Sequence, residues 1–152
     1  MFMTPDRFFE LVRRELGFLI QELGFVVYQE AVFPPECWIE LRNETTGVTV
    51  TYEVESAPWV KVARLGSYEG KIVDLEGYDL LFLLKARSPS AYRELMSLMN
   101  EKRDIAEILQ KAALNLRLYA TDVLTGDFSV FQSLEPIAAK RLKARESKLF
   151  GR

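Results

Sequence analysis

The side chains that could do chemistry lie in the middle of the chain, between residues 53 and 79. Glu69-Gly70-Lys71, with Glu53 upstream, imitates the acidic-x-lysine signature of a metal-dependent nuclease. In such a site carboxylates hold Mg²⁺, and the lysine stabilises the attacking water or the developing charge. The signature needs a rigid strand, whereas this copy sits among glycines. A solvated loop is the favoured interpretation, and a small metal-dependent nuclease is the weakest functional hypothesis.

Two other groupings are also more easily explained without a site. Asp74, Glu76 and Asp79 form an acidic cluster that could bind a cation or face a basic partner, although three carboxylates in a loop are more often simply solvated. Ser67 and Lys71 could form a serine-lysine dyad, but no strained turn would present the serine. The sequence therefore predicts no catalytic residue, no metal site and no cofactor.

The absence of histidine from the chain is more informative than these motifs. The chain cannot supply a Ser-His-Asp or Cys-His arrangement, a histidine metal site or a histidine general base. The single cysteine, Cys37, excludes an intramolecular disulfide and is expected to be a small core side chain. We expect a protein that is not an enzyme.

Length and charge favour one domain with a basic end. A chain of 152 residues that is 49% apolar can bury one substantial core, so residues 1–152 are predicted to form a single domain. Six basic residues against one acidic residue give residues 140–152 a charge of +5, which leaves −7 for residues 1–139 of a chain with net charge −2. A basic C-terminal helix, 137–150, is predicted. It could bind nucleic acid, or simply favour its own helix terminus through the dipole.

Nothing in the sequence predicts a membrane segment or a signal peptide. Polar residues interrupt the apolar pattern at the start of the chain, and the longest apolar run, 80–84, is far shorter than the roughly twenty residues that cross a bilayer. A cytoplasmic, bacterial-type protein is the expectation.

The N-terminal part is predicted to form one helix and one strand. Thr4-Pro5 is a good helix start, and Gly24 is expected to end the helix. Its buried face should contain Phe8, Val12, Leu16, Leu19 and Leu23, widened by Phe9, Leu11 and Ile20. Residues 25–33 favour a strand, and Pro34-Pro35 is expected to prevent a tight hairpin of regular type.

Alternating residues then predict an antiparallel meander. Cys37, Ile39 and Leu41 alternate with Trp38, Glu40 and Arg42; after a turn at 44–47, three valines and Tyr52 alternate with Thr49, Thr51 and Glu53. Residues 59–65 favour a further strand, with Val60 and Val62 opposite Trp59, Lys61 and Ala63. Residues 66–77 are expected to be mainly irregular, with a short extended segment at 71–75.

The C-terminal half is predicted to be helical. Residues 78–85 fit either a buried strand or a buried helix, and the dominance of leucine favours helix. Ser88-Pro89 should begin a helix that ends near Met99. A long amphipathic pattern runs from Arg103 towards Phe131, with Gly126 suited to the left-handed position that stops it and Asp127 suited to cap the next helix. The predicted fold class is α+β: an N-terminal helix, an antiparallel meander sheet of three to five strands, and a helical C-terminal half packed on one face.

The favoured site is the outward side of the predicted sheet. Trp38 and Trp59 fall on the side opposite the valines, alongside Glu40, Arg42 and Lys61. Tryptophan and arginine among charged residues are typical of a partner-binding patch. Two alternatives stay open: another helix covers this side, or the register is shifted by one residue, which would reverse every assignment.

Both ends of the chain resemble a family of small uncharacterised bacterial α+β proteins. The resemblance rests on Phe8-Phe9-Glu10-Leu11-Val12, Phe18-Leu19 and Glu22-Leu23-Gly24-Phe25, and on residues 118–128, from Leu118-Tyr119 to Gly126-Asp127-Phe128. Some members resemble the immunity-type proteins found beside polymorphic toxins. The motifs consist of core and cap residues, so the resemblance bears on the fold and supplies no site residue.

The leading hypothesis is a non-enzymatic protein-binding module, immunity-type or defence-associated, with a protein partner of unknown identity. The first alternative is a nucleic-acid-associated accessory protein that uses the basic tail. Self-association of the chain through the same sheet side is a third possibility, since a homo-oligomer would show the same pattern.

Overall fold

The computed structural model of the protein describes residues 3–101 and 104–137. Its helices are α1 (Pro5–Glu15), α2 (Gly17–Glu22), α3 (Leu80–Arg87), α4 (Pro89–Asn100), α5 (Ile105–Tyr119) and α6 (Thr121–Leu124), and residues 131–137 are also helical. Its strands are β1 (Val26–Phe33), β2 (Glu36–Arg42), β3 (Thr46–Glu53), β4 (Trp59–Tyr68) and β5 (Lys71–Asp79). The predicted α+β class is confirmed.

The five strands form an antiparallel meander in the order β1-β2-β3-β4-β5. Its inner face carries the buried residues of the predicted alternation: Cys37, Ile39, Leu41, Val48, Val50, Tyr52, Val60 and Val62. Helices cover this face: Phe8 of α1 stacks on Tyr52 with ring centroids 5.3 Å apart, and Phe131 meets the ring of Tyr78 edge-on at 4.9 Å. The predicted register is therefore correct.

The expectation that Pro34-Pro35 would prevent a tight hairpin is wrong. Phe33 pairs with Glu36, so the two prolines are themselves the two-residue turn between β1 and β2, with a cis peptide bond between them. Proline has a fixed φ and no amide hydrogen, but a turn position donates no hydrogen bond to the strand ladder. The prolines are compatible with the hairpin because they lie outside the ladder.

The region 66–77 is also more regular than expected, because it belongs to the β4–β5 hairpin. Tyr68 pairs with Lys71 across a two-residue turn in which Glu69 (φ 51°) and Gly70 (φ 78°) both adopt positive φ. Positive φ at both central residues defines the type I′ turn that suits the twist of antiparallel strands. Gly66 lies within β4, where an added Cβ would come 2.2 Å from Leu75 Cδ1, so this glycine makes room for a neighbouring side chain.

The N-terminal helix is confirmed but is divided in two. Thr4 Oγ1 accepts a hydrogen bond from the Arg7 amide at 3.2 Å, as the cap prediction requires, and Gly24 (φ 73°) ends the segment. The break falls at the fully buried Leu16, between α1 and α2. Ile20, predicted to widen the buried face, is 38% exposed because α2 starts a new helical register.

The long C-terminal pattern is likewise two helices, since α5 ends at Tyr119 and α6 occupies Thr121–Leu124. Gly126 (φ 103°) follows α6 in the left-handed conformation that was predicted. Asp127 does not directly cap the next helix, which begins at residue 131; its Oδ1 accepts a hydrogen bond from the Ser129 amide at 3.0 Å, in the turn before that helix. Residues 78–85 are helical from Leu80 onwards, and Ser88 caps α4.

None of the described helices combines the length and apolar character that crossing a bilayer requires. The predicted basic helix 137–150 lies, apart from residue 137, outside the described residues.

Candidate functional site

The strand register brings the five predicted patch residues onto one face of the sheet, opposite the core. Trp38 on β2 and Trp59 on β4 both pair with Thr51 of β3, and Glu40 and Lys61 both pair with Thr49. Directly paired residues project to the same side of a sheet, so each set forms a row across three strands. Arg42 begins the next row, which continues through Gly47, Ala63 and Gly77. We call this side the outer face.

Two ion pairs hold the charged residues of the outer face. Arg42 Nε donates to the carboxylate of Glu40, and its Nη1 donates to the Ile72 carbonyl at 3.2 Å. The guanidinium also lies 3.6 Å from the centroid of the Tyr28 ring, a cation–π contact. Lys61 Nζ lies 3.1 Å from Asp74 Oδ2. Partners on β1, β2 and β5 therefore fix the positions of these charges on the sheet.

Glu40 occupies the most shielded position among these charges, with a residue exposure of 9%. Burial raises the pKa of its carboxyl, because the charged form loses hydration, and the hydrogen bond from Arg42 opposes this rise. Nearby Asp74 has one carboxylate oxygen, Oδ1, that is buried and has no hydrogen-bond partner within the described residues. The centre of the outer face thus holds charge in a partly dehydrated setting.

Small residues make this close approach possible. An added Cβ on Gly47 would lie 3.2 Å from Leu65 Cδ2 and 3.5 Å from Asp74 Oδ1. The bare backbone of β3 therefore lets side chains from β4 and β5 fold over it.

The tryptophan row has a sheltered centre. Thr51 is only 8% exposed although it projects from the outer face, whereas Trp38 and Trp59 are partly exposed. Neighbouring side chains must lie over a threonine for it to be this buried, and the two tryptophans are its cross-strand neighbours. Trp59 also borders a cavity of about 10 Å³ together with Leu95 and Met99 of α4.

An acidic row lies next to the tryptophan row. Glu36 pairs directly with Glu53, and the exposed Phe33 of β1 pairs with Glu36. Like charges directly opposite each other destabilise a sheet. In residues 3–101 and 104–137, neither carboxylate has a cationic side chain within ion-pair distance. This row therefore has an uncompensated negative charge.

The other residues singled out from the sequence do not assemble into a catalytic site. Glu53 and Lys71 lie at opposite ends of the sheet, because Glu53 is at the end of β3 near the start of β4, while Lys71 follows the turn at the far end of β4. Glu69 forms that turn, and the exposed Ser67 pairs with Ile72. Cys37 is buried, and burial raises the pKa of its thiol, which disfavours the reactive thiolate.

The acidic cluster expected in a loop lies on β5 instead, and its members have separate structural tasks. Asp74 pairs with Lys61, Glu76 accepts a hydrogen bond from the Tyr78 hydroxyl at 3.1 Å, and Asp79 caps α3 through the Leu81 amide at 2.8 Å. Burial is the larger cause, and the hydrogen bond to Glu76 the next, of the rise in the pKa of Tyr78 to about 12. No group of three or more metal-ligating side chains occurs in the described part of the chain.

Sequence reasoning missed three residues of the outer face: Tyr28, Glu36 and Asp74. Tyr28 lies at a bulge in β1, between the pairs of Val27 and Gln29, so its side could not be derived from simple alternation. Asp74 lies next to a second bulge, at Leu75. Glu36 continues the alternation of Trp38 and Glu40, and this signal would have been sufficient to include it.

Comparison of the chain with protein-family models, with curated proteins and with solved structures found no match. The resemblance to small bacterial proteins therefore stays an expectation from the sequence.

Proposed function

We propose that this protein is a non-enzymatic protein-binding module that engages its partner through the outer face of the sheet. The observation that carries the proposal is the convergence of Trp38, Glu40, Arg42, Trp59 and Lys61 in three adjacent rows of that face. Aromatic and arginine side chains dominate the energetics of protein interfaces because they bury large areas and make directed polar contacts.

The arrangement suits binding better than catalysis. Arg42 and Lys61 are each held by a carboxylate, so their charges are preorganised and cost little side-chain entropy when a partner docks. The outer face is also acidic, since Glu36, Glu40, Glu53 and Asp74 outnumber Arg42 and Lys61. A partner with a basic surface is the complement that this charge favours.

The immunity-type or defence-associated role, in the bacterial cytoplasm, belongs to this proposal and rests on the resemblance of the two chain ends. A nucleic-acid-associated role depends on residues 140–152, which lie outside the described residues. It predicts binding that weakens steeply with salt, because neutralised phosphates release counterions. The acidity of the outer face favours the protein partner.

The test is co-purification of the full-length tagged protein from its native host, repeated with Trp38→Ala and Trp59→Ala. We expect one stoichiometric protein partner with the wild-type chain and loss of that partner in both variants. Leu118→Ala is the matched control, because Leu118 is a large apolar residue of α5 that is 60% exposed. It should retain the partner.

Thermal unfolding of each variant separates loss of binding from loss of folding. The proposal fails if the wild-type protein purifies alone as a monomer, or if both tryptophan variants, correctly folded, still hold the partner. Recovery of a second copy of the chain as the sole partner, also lost in the tryptophan variants, would replace it with self-association through the outer face.

A further inference from the structure

We propose that the outer face binds an arginine side chain of a basic partner against the partly exposed indoles of Trp38 and Trp59, with the carboxylates of Glu36 and Glu53 as its counter-ions. This inference rests on the proposed function and specifies the chemistry of the partner. It uses the acidic row, which the sequence-based patch did not include.

The two tryptophans offer aromatic rings to a planar cation. They lie two strands apart in one row, so their backbones are separated by about 10 Å, twice the usual distance between neighbouring strands. Thr51 between them is only 8% exposed, so the site lies on the outward faces of the rings and not between their backbones. Indole is the best aromatic ring for cation–π contact, and this row holds two of them.

The acidic row supplies the charge at the neighbouring position. Glu36 and Glu53 project from the outer face one row away from Trp38 and Thr51. A guanidinium stacked on an indole of this row can extend its fork towards these carboxylates and form paired N–H···O bonds. It would also relieve the repulsion between two opposed carboxylates that have no cationic partner among the described residues.

Arginine fits these features better than lysine. Its guanidinium is planar, stacks on aromatic rings and donates bidentate hydrogen bonds, whereas the ammonium of lysine is a compact and strongly hydrated point charge. Arg42 already lies against Tyr28 and beside Glu40 on this same face, so the chain itself shows a guanidinium held by one ring and one carboxylate.

The test uses intrinsic fluorescence, because Trp38 and Trp59 are the only two tryptophans in the chain. The full-length protein is titrated with a blocked hexapeptide containing three arginines, and separately with its lysine counterpart of equal charge. We expect a saturable change in tryptophan emission with the arginine peptide, and affinity about five- to tenfold weaker with the lysine peptide, as a cation–π difference near 1 kcal/mol implies.

Glu36→Gln/Glu53→Gln is the decisive double variant, since it removes the carboxylates and leaves both indoles in place. Glu44→Gln/Glu69→Gln removes the same charge from two exposed turn residues at the other end of the strands. We expect the first double variant to lose at least about tenfold in affinity for the arginine peptide, because two charge-assisted hydrogen bonds are removed. The second should bind as the wild type does.

Several results would overturn the inference. Equal affinity for both peptides would reduce the site to non-specific charge attraction, and equal loss in both double variants would do the same. Tryptophan emission shielded from acrylamide until salt is added would assign the face to the chain's own basic residues 140–152. A partner captured through the tryptophans but not displaced by the arginine peptide would overturn this inference and leave the proposed function intact.

Discussion

Arg87 joins the end of α3 to the turn of helix that follows α5. Its Nη1 and Nη2 donate to the two carboxylate oxygens of Asp122 at 2.7 and 2.6 Å, and Nη1 also donates to the Tyr119 carbonyl at 2.6 Å. These hydrogen bonds lower the pKa of Asp122, because they favour its charged form. The pair therefore stabilises the fold only while the carboxyl is ionised.

At this scale we predict that Asp122→Asn lowers the free energy of unfolding by about 1 kcal/mol at pH 7. A lowered folded-state pKa gives stability that is fully present above the unfolded pKa of about 4 and is lost as pH falls through the folded value. The difference between wild type and variant should thus shrink below about pH 4. Urea unfolding of both proteins at pH 7, 4 and 3 measures this difference in the free energy of unfolding.

Asp6→Asn is the control for this series, because Asp6 is exposed and unpaired with any arginine among the described residues. A difference between Asp122→Asn and wild type that stays constant from pH 7 to pH 3 would contradict the assignment of the effect to the ion pair.

Among the elements, the turn between β2 and β3 holds the end of α6 through side-chain hydrogen bonds. Asn43 Oδ1 accepts from the amides of Thr45 and Thr46 at 3.0 and 2.8 Å, while its Nδ2 donates to the Leu124 carbonyl at 2.8 Å. Thr46 Oγ1 donates to the Val123 carbonyl at 2.8 Å. Helix ends leave carbonyls without intrahelical partners, and the Asn43 side chain supplies a donor to that of Leu124. The Val123 carbonyl accepts a second hydrogen bond, from the Gly126 amide at 3.2 Å.

We predict that Asn43→Ala costs about 2 kcal/mol of stability, since several partly buried hydrogen bonds are lost together. Asn43→Asp keeps the acceptor for the turn amides but removes the donor to Leu124, so it should be nearly as damaging if docking of α6 is the main contribution. Chemical denaturation of both variants decides this, with the exposed neighbour Glu44→Ala as the control. Tolerance of Asn43→Asp would show that only the turn matters.

Alternation and capping residues predicted most elements, and the failures have local physical causes. The β4–β5 hairpin was missed because Gly66 and Gly77 resemble turn residues, whereas each lies inside a strand where a neighbouring side chain or backbone comes close. The breaks at Leu16 and Ala120 were missed because both residues are apolar, fully buried and good helix formers. Only tertiary packing distinguishes such positions from the middle of a helix.

The outer face shows a similar division between what the sequence reveals and what it hides. Trp38, Glu40, Arg42, Trp59 and Lys61 lie where alternation placed them, because regular pairing carries the pattern from strand to strand. Tyr28 and Asp74 required knowledge of two bulges. The ion pair between Lys61 and Asp74 could not be predicted without knowing how closely the Asp74 side chain of β5 approaches Gly47.

At the scale of the whole molecule, stability should be highest in the middle of the sheet. β3 is hydrogen-bonded on both sides, to β2 and to β4, and its residues Val48 and Val50 are fully buried. β1 is bonded on one side only, and Val26, Tyr28, Val32 and Phe33 are all more than half exposed. Local opening should therefore begin at β1.

We predict protection from hydrogen exchange at least about a hundredfold higher in β3 than in the amides of β1 that face β2, because the two regions open at different free energies. Amide-resolved exchange measured by NMR at neutral pH tests this. Uniform protection across all five strands would mean that the sheet opens only by global unfolding.

The burial of Cys37 has a practical consequence for labelling. The chain has a single thiol, which lies on the inner face at 4% exposure with a raised pKa. A maleimide dye should not react with this thiol in the folded protein. A cysteine introduced at an exposed position can therefore be labelled without first replacing Cys37. When Cys37 does react, the rate of its modification should report the rate at which the core opens.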